Sequence, residues 1–358
     1  MLMPDQIIGD YKIVRLLGSG GLGAVYEAVS TSAPGKRVAL KTLHKNYSDH
    51  PEIAARFRRE AQVGTQLLHP RIVGAFEYGY SEQLGNIAYM VMELVDGESL
   101  RQYLSRMGGQ LSEEACLGIF EQLADALDFA HKNGVIHRDL KLGNVMILGH
   151  PQPNENPLIK VLDFGISKAI GPDYTDIQTA DYRSILGTFE YMPPEQFMTP
   201  AQVTGHTDVY SLGIMLYYCL TGSLPFKAPE STAPLQLASV YYKLHTSSPP
   251  PALPGTVQPA LASLVMSMLA KSAGNRPSMA EVRKSILALQ KALGGHEAAT
   301  YVRPADELTK PLAEPSTVVA PASSHGPTKV GNREQLLLIV ATIALLWAIA
   351  VTAVLLLK

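Results

Sequence analysis

Cysteine is nearly absent, with Cys116 and Cys219 the two examples in 358 residues. Both sit in apolar surroundings, which excludes a disulfide framework and suits buried thiols in a reducing compartment. An excess of one charge is missing too. Thirty Lys and Arg face 32 Asp and Glu, a formal net charge of −2, so no whole-chain attraction to nucleic acid exists and no nucleic-acid partner is expected. The locally basic run "RFRRE" at 56–60 reads as a solvated helix face. The first residues, "MLMPDQIIGDY", lack the basic start and long apolar stretch that secretion requires. Internal repeats are also lacking, which excludes a solenoid.

What is present is a large apolar fraction, 46%, enough for a sizeable core in two lobes or in one domain with an appendage. Up to about Val95 the chain alternates in short strands, "YKIVRLLG", "AVYEAV", "KRVALKTL" and "IAYMVMEL", with one helix near 52–67. Beyond it, helical periodicity takes over at 99–107, 112–133, 206–221, 233–245, 257–270 and 278–292. The expected class is therefore α+β, with a strand-rich front and a helical back. Gly295 to Arg333 carries five prolines among many Ala, Ser and Thr, a linker that as a flexible coil would span on the order of 35 Å. Residues 336–357, "LLLIVATIALLWAIAVTAVLLL", contain no charge. As a helix they would run roughly 33 Å, enough to cross a bilayer.

Four motifs carry chemistry. "GSGGLGAVY", Gly18 to Tyr26, has the spacing G-x-G-x-x-G-x-V. A strand pattern follows it, whereas in a dinucleotide-binding turn the glycines open a helix, so a hairpin lying over a nucleotide is favoured. Gly18, Gly20 and Gly23 would let backbone amides approach phosphates without an intervening Cβ. Lys41 ends "VALK" on the next strand and could reach phosphates beneath that loop, held there by Glu60 of the following helix. In "HRDLKLGN", residues 137–144, Asp139 can accept a hydroxyl proton, Lys141 can neutralise charge on a transferring phosphoryl group, and Asn144 can offer a metal its amide oxygen. Asp163 of "VLDFG" supplies a hard oxygen ligand suited to magnesium.

This ordered set resembles the eukaryotic-type (Hanks-type) protein kinase family over roughly residues 9–292. The resemblance implies a two-lobed fold within a domain at 1–294, with an N-lobe of about 9–95 and a C-lobe of about 96–292, then a linker at 295–335 and a transmembrane helix at 336–357. It implies ATP and magnesium as cofactors, with manganese able to stand in. By similarity Met92 is the gatekeeper, Glu93 and Val95 are the hinge that hydrogen-bonds adenine, and Leu17, Val25, Ala39 and Met146 enclose the ring. "GTFEYMPPE" at 187–195 looks like the end of an activation segment. Glu195 would pair with Arg276, and Asp208 would anchor the catalytic loop. Leu142 and Gly143 replace the commoner Pro-Glu, and Leu22 replaces the usual aromatic of the glycine loop. None of the three removes a proton acceptor, a metal ligand or a phosphate contact.

Lys141 and Thr188 place the resemblance on the serine/threonine branch, so protein substrates are expected, with a kinase-domain dimer for autophosphorylation in trans. Thr179 is the expected acceptor, with Thr175 or Ser184 second, because a phosphate there could pair with Arg138. Thr188 is expected to serve the substrate site instead. A pseudokinase scaffold should lack one of Lys41, Asp139 or Asp163, and all three are present. A small-molecule kinase would not need the segment at 187–195. The fourteen Leu, Ile and Val of the apolar run favour insertion by roughly 4 to 8 kcal/mol. The expected location is the cytoplasmic membrane, single-pass, with the kinase domain on the cytosolic side where ATP is found.

Overall fold

The structure, a computed structural model, describes residues 1–152, 155–164, 189–198, 203–233 and 236–294. The front of the chain forms a six-stranded antiparallel sheet in the order β1-β2-β3-β4-β6-β5. The strands are β1 (Ile7–Ile8), β2 (Tyr11–Ser19), β3 (Gly23–Ser30), β4 (Arg37–Leu43), β5 (Ala75–Ser81) and β6 (Ile87–Met92). Register decides what each face carries, because residues directly opposite, and residues two apart, share a face. Tyr26 opposes Leu40, and Leu40 opposes Val91. These three join Ile8, Ile13 and Tyr89 in one apolar cluster. Val25 opposes Lys41, and Ala39 opposes Met92, so all four lie on the other face.

Two short helices' worth of chain then covers that second face. α1 (Lys45–Ser48) leads into α2 (Pro51–Gln66), which starts with Pro at its first turn, where the missing N–H costs nothing. Phe57 and Ala61 of α2 are buried with Leu43, Ala75, Ala88 and Met90, and this packing turns Glu60 inward to 6% exposure.

The back is helical: α3 (Leu100–Arg106), α4 (Glu113–Lys132), α5 (Pro194–Met198), α6 (Gly205–Thr221), α7 (Leu237–Ser247), α8 (Pro259–Met268) and α9 (Met279–Ala292). Ser99, Ser112 and Ser278 each accept a backbone N–H in the first turn of their helices, which fixes those starts. Leu123 and Leu127 of α4 pack with Leu212 and Leu216 of α6, all fully buried, in the main core. Cys116 and Cys219 lie in that core as free thiols, and burial pushes both pKa values up. A small antiparallel sheet of β7 (Gly97–Ser99), β8 (Val145–Leu148) and β9 (Ile159–Val161) lies in the same part of the chain.

Three features depart from the sequence expectation. Strand β5, "AFEYGYS", escapes the alternation because Gly79 looks like a turn residue. A Cβ there would come 2.7 Å from the Tyr89 hydroxyl, so packing requires the glycine. Helix α7 begins at Leu237 instead of 233, because the residue before Pro234 is biased out of the helical region. The β7-β8-β9 sheet has strands of three or four residues, too short to show a period. Among the described residues no helix is long and apolar enough to cross a membrane. The run 336–357 and the linker at 295–335 lie outside the described residues.

Candidate active site

Lys41 stands at the centre. Its Nζ lies 2.6 Å from Glu60 Oε1 and 2.9 Å from Asp163 Oδ1, so one ammonium joins the sheet, α2 and the segment after β9. Burial would lower the Lys41 pKa, but the charges of Asp163 and Glu60 outweigh it and raise the value. The ammonium is therefore permanently charged. Glu60 is nearly buried, while Asp163 keeps 36% of its side chain exposed and so faces the open side.

The glycine hairpin lies between β2 and β3. Gly20 N–H donates to Gly23 O at 2.9 Å and closes the turn. The three glycines are not equivalent. A Cβ on Gly18 or Gly20 would meet nothing within 4 Å, whereas on Gly23 it would fall 1.8 Å from the Thr42 carbonyl oxygen. Gly23 is thus demanded by the neighbouring strand, while Gly18 and Gly20 leave open backbone. Leu17 and Leu22 are each 40% exposed at the two ends of this loop.

The apolar positions follow from register. Val25, Ala39 and Met92 share the Lys41 face, and Met146 on β8 opposes Lys160 on β9. The Glu93 N–H donates to Gly74 O at 3.0 Å. Its carboxylate takes the buried Lys160 ammonium at 2.8 Å, a clasp between hinge and β9 with no signature in the local sequence. Among the described residues Val95 N–H and C=O have no backbone partner, so both can serve a ligand edge.

The catalytic loop is held from below. Asp208, 1% exposed at the start of α6, accepts from His137 N–H at 2.8 Å, from Arg138 N–H at 2.9 Å and from His131 Nε2 at 2.7 Å. Burial would raise its pKa, but these bonds and the nearby imidazoles lower it. Arg138 and Asp163 adopt left-handed φ values of 65° and 44°, which non-glycine residues hold only where the surroundings enforce them. For Arg138 the enforcement is visible, since Gln196 also donates to its carbonyl at 3.1 Å. His137, lowered in pKa chiefly by burial, is neutral. Its Nε2–H donates to Leu162 O at 2.9 Å, and its Nδ1 receives Asp139 N–H at 3.3 Å.

This framework delivers the polar groups. Asn144 Nδ2 donates to Asp139 O at 2.8 Å and to Asp139 Oδ2 at 3.1 Å, and Lys141 Nζ lies 3.1 Å from the same Oδ2. With its amide nitrogen engaged, Asn144 keeps its oxygen as an acceptor. That oxygen and the Asp163 carboxylate form a hard donor pair that fits magnesium. Leu142 is fully buried, whereas a Cβ on Gly143 would meet nothing within 4 Å. Gly143 is therefore not required by packing.

Glu195 and Arg276 form a two-pronged pair at 2.7 and 2.9 Å, joining the end of the 187–195 stretch to the segment before α9. Thr175, Thr179, Ser184 and Thr188 lie outside the described residues. His131, Gln196 and Lys160 were missed by sequence reasoning, because each acts through a partner 58 to 77 residues away.

Comparison with known proteins agrees with this geometry. A family model described as "Protein kinase domain" matches residues 11–287. The chain is 37% identical over 275 residues to the serine/threonine-protein kinase PknA of Mycobacterium tuberculosis, covering 75% of this chain and 58% of that protein. It is 35% identical over 338 residues to the serine/threonine-protein kinase pkn2 of Myxococcus xanthus, covering 92% of this chain and 37% of the relative. It thus spans less than two thirds of either relative. The crystal structure of a double mutant of the Mycobacterium tuberculosis PknI kinase domain aligns with TM-score 0.57 at 25% identity, over 80% of this chain and 98% of that one.

Proposed function

Because the chain belongs to the protein kinase domain family, we propose that it transfers the γ-phosphoryl group of ATP to serine and threonine hydroxyls of proteins. The observation that carries the reading is Lys41 held between Glu60 and Asp163, with Asp139 bonded to Asn144 and Lys141.

In this reading Gly18 and Gly20 of the hairpin cover the phosphates with backbone amides. Lys41 binds the α- and β-phosphates, and Glu60 keeps its ammonium directed there. The adenine lies against Leu17, Val25, Ala39 and Met146 behind Met92, with its edge on Glu93 and Val95. Asn144 and Asp163 hold magnesium, which when bound offsets negative charge on the phosphates. The acceptor hydroxyl is oriented by Asp139. Its oxygen bonds to the γ-phosphorus as the bond to the bridging oxygen breaks, ADP departs, and the hydroxyl proton passes to the Asp139 carboxylate. Lys141, beside that carboxylate, balances charge on the group in transit.

Autophosphorylation at Thr179, with Thr175 or Ser184 second, in trans between two kinase domains, extends the proposal. So does anchoring through 336–357, with the catalytic domain on the cytosolic side. The uncharged 22 residues and the proline-bearing linker support the anchor, and the need for ATP supports the orientation. Incubation with Mg-ATP followed by mass spectrometry tests the reaction: phosphoserine or phosphothreonine is expected, including sites within 170–186. An enzyme active towards protein but unmodified from 170 to 186 would remove the autophosphorylation step. Protease added to intact spheroplasts should spare the catalytic domain, and its digestion there would reverse the orientation.

A further inference from the structure

Away from the site, a partly buried ionic cluster surrounds Asp125 in the middle of α4. One carboxylate oxygen receives Arg71 Nη1 and lies 3.4 Å from His69 Nε2; the other receives Arg283 Nη1 from α9. Arg283 also gives its Nε to Glu121 Oε1 at 2.9 Å. Asp125 keeps 16% of its side chain exposed, His69 12% and Arg71 14%. Burial would raise the Asp125 pKa, and His69, Arg283 and Arg71 together hold it below the usual range. Three basic side chains, two from the connection after α2 and one from α9, thus converge on one carboxylate of α4.

The backbone around Arg71 shows what the cluster controls. Arg71 lies in the connection from α2 to β5, eleven residues after Glu60. Its carbonyl accepts Val161 N–H at 2.8 Å, and Val73 N–H returns to Val161 O at 3.0 Å. Val161 ends β9, two residues before Asp163. Gln122, about one helical turn before Asp125 on α4, accepts Ile159 N–H at 3.3 Å and Arg71 Nε at 3.4 Å. The strand that leads into Asp163 is therefore bonded to the segment that continues the chain from α2, the helix of Glu60, and the Arg71 side chain of that segment is tied to Asp125.

We infer that Asp125, through Arg71 and Arg283, is a positioning residue for phosphoryl transfer that keeps Glu60 and Asp163 in register across Lys41. This rests on the function proposed above. It places the load on the nucleotide side of the reaction, because Lys41 and Asp163 meet the nucleotide, whereas the acceptor is oriented by Asp139, whose loop is held chiefly by Asp208 through His137 and Arg138. It also makes α9, the last described helix, part of the device that sets nucleotide binding.

The full chain, with Asp125→Asn, Arg71→Gln, Arg283→Gln and Arg283→Lys variants, tests this by initial rates against Mg-ATP and against a protein acceptor, and by affinity for a fluorescent ATP analogue. Asp125→Asn is expected to lower kcat/KM for Mg-ATP about tenfold, mostly through KM, while KM for the acceptor stays within about twofold. Arg71→Gln should cost less than about twofold once Asp125 is Asn, because the two act through one contact. Arg283→Lys, which keeps the charge but not the two-pronged contact, should lose less than Arg283→Gln. If Asp125→Asn fails to fold, Arg283→Gln, whose side chain is 36% exposed, carries the same test with a loss of about threefold. Equal changes in both KM values, additive losses, or a lowered thermal midpoint with unchanged nucleotide affinity would overturn the inference. A wild-type protein that binds the analogue but transfers no phosphate would instead refute the proposed function, and analogue affinity would still decide the role of Asp125.

Discussion

Two ion-paired centres in this molecule are built from similar parts and differ in what surrounds them. In the helical part, Arg276 is fully buried, and its guanidinium meets both Glu195 oxygens as well as the carbonyls of Ala270, Lys271 and His206. Thr207 adds a bond to Glu195 at 3.0 Å, and the Tyr210 ring lies 4.8 Å from the guanidinium. Donor and acceptor capacity is filled from all sides, which is a static joint. At Lys41 one ammonium serves two carboxylates, with Lys41 22% and Asp163 36% exposed. Among the described residues, one ammonium N–H remains there to donate to a ligand. The first centre holds the fold, and the second is left open for chemistry.

The comparison breaks first at Arg276. Replacing it by Met leaves Glu195 buried without its cation, and unfolding free energy should fall by about 3 to 5 kcal/mol. Denaturant titration would read this, with nucleotide affinity per folded molecule unchanged.

Acid is the next lever, and it acts mainly on the helical part. His245 is fully buried there, with Tyr210 hydroxyl on its Nδ1 at 3.0 Å. Burial, assisted by the Lys271 charge, lowers its pKa to about 3. Unfolded, it binds a proton below its ordinary value near 6.5. The stability it contributes is therefore complete above about pH 6.5 and is lost as pH falls towards 3. By pH 5 the loss is about 2 kcal/mol. A His245→Gln variant, measured by thermal unfolding between pH 7 and 5, should show that much less pH dependence.

A smaller stability effect is expected at the open centre. Lys41→Met should cost about 1 to 2 kcal/mol, since part of the site is hydrated, yet phosphoryl transfer should fall at least about a hundredfold. A loss of stability as large as that of Arg276→Met would erase the distinction between the two centres. The least effect is expected at Gly143→Ala. The added methyl meets open space, so stability should rise by about 0.4 to 1 kcal/mol and kcat should stay within about twofold.

Much of the open centre was legible in the sequence, for a physical reason. Phosphate cover, cation, proton acceptor and metal ligands demand particular residue types, and Gly18, Gly20, Lys41, Asp139, Asn144 and Asp163 declare themselves by type and order. Helix starts were legible where Ser99, Ser112 and Ser278 cap them. The supporting contacts were not. His131 on Asp208, Lys160 on Glu93 and Arg71 on Asp125 join ordinary residues across long separations, and any one of them reads alone as a solvated side chain. Gly23 was legible as a needed glycine, but its cause is the Thr42 carbonyl on the adjacent strand. Strand β5 was hidden because Gly79 serves Tyr89 instead of a turn.

The most direct test is single-turnover phosphoryl transfer from radiolabelled Mg-ATP to a protein acceptor, run on the 358-residue chain and its Asp139→Asn variant alongside nucleotide binding. The account predicts label on serine or threonine with the wild type. In the variant the rate should fall by about a hundredfold or more with nucleotide affinity nearly intact, because a proton acceptor is removed and no phosphate contact is lost. Wild-type turnover in the Asp139→Asn protein would contradict it.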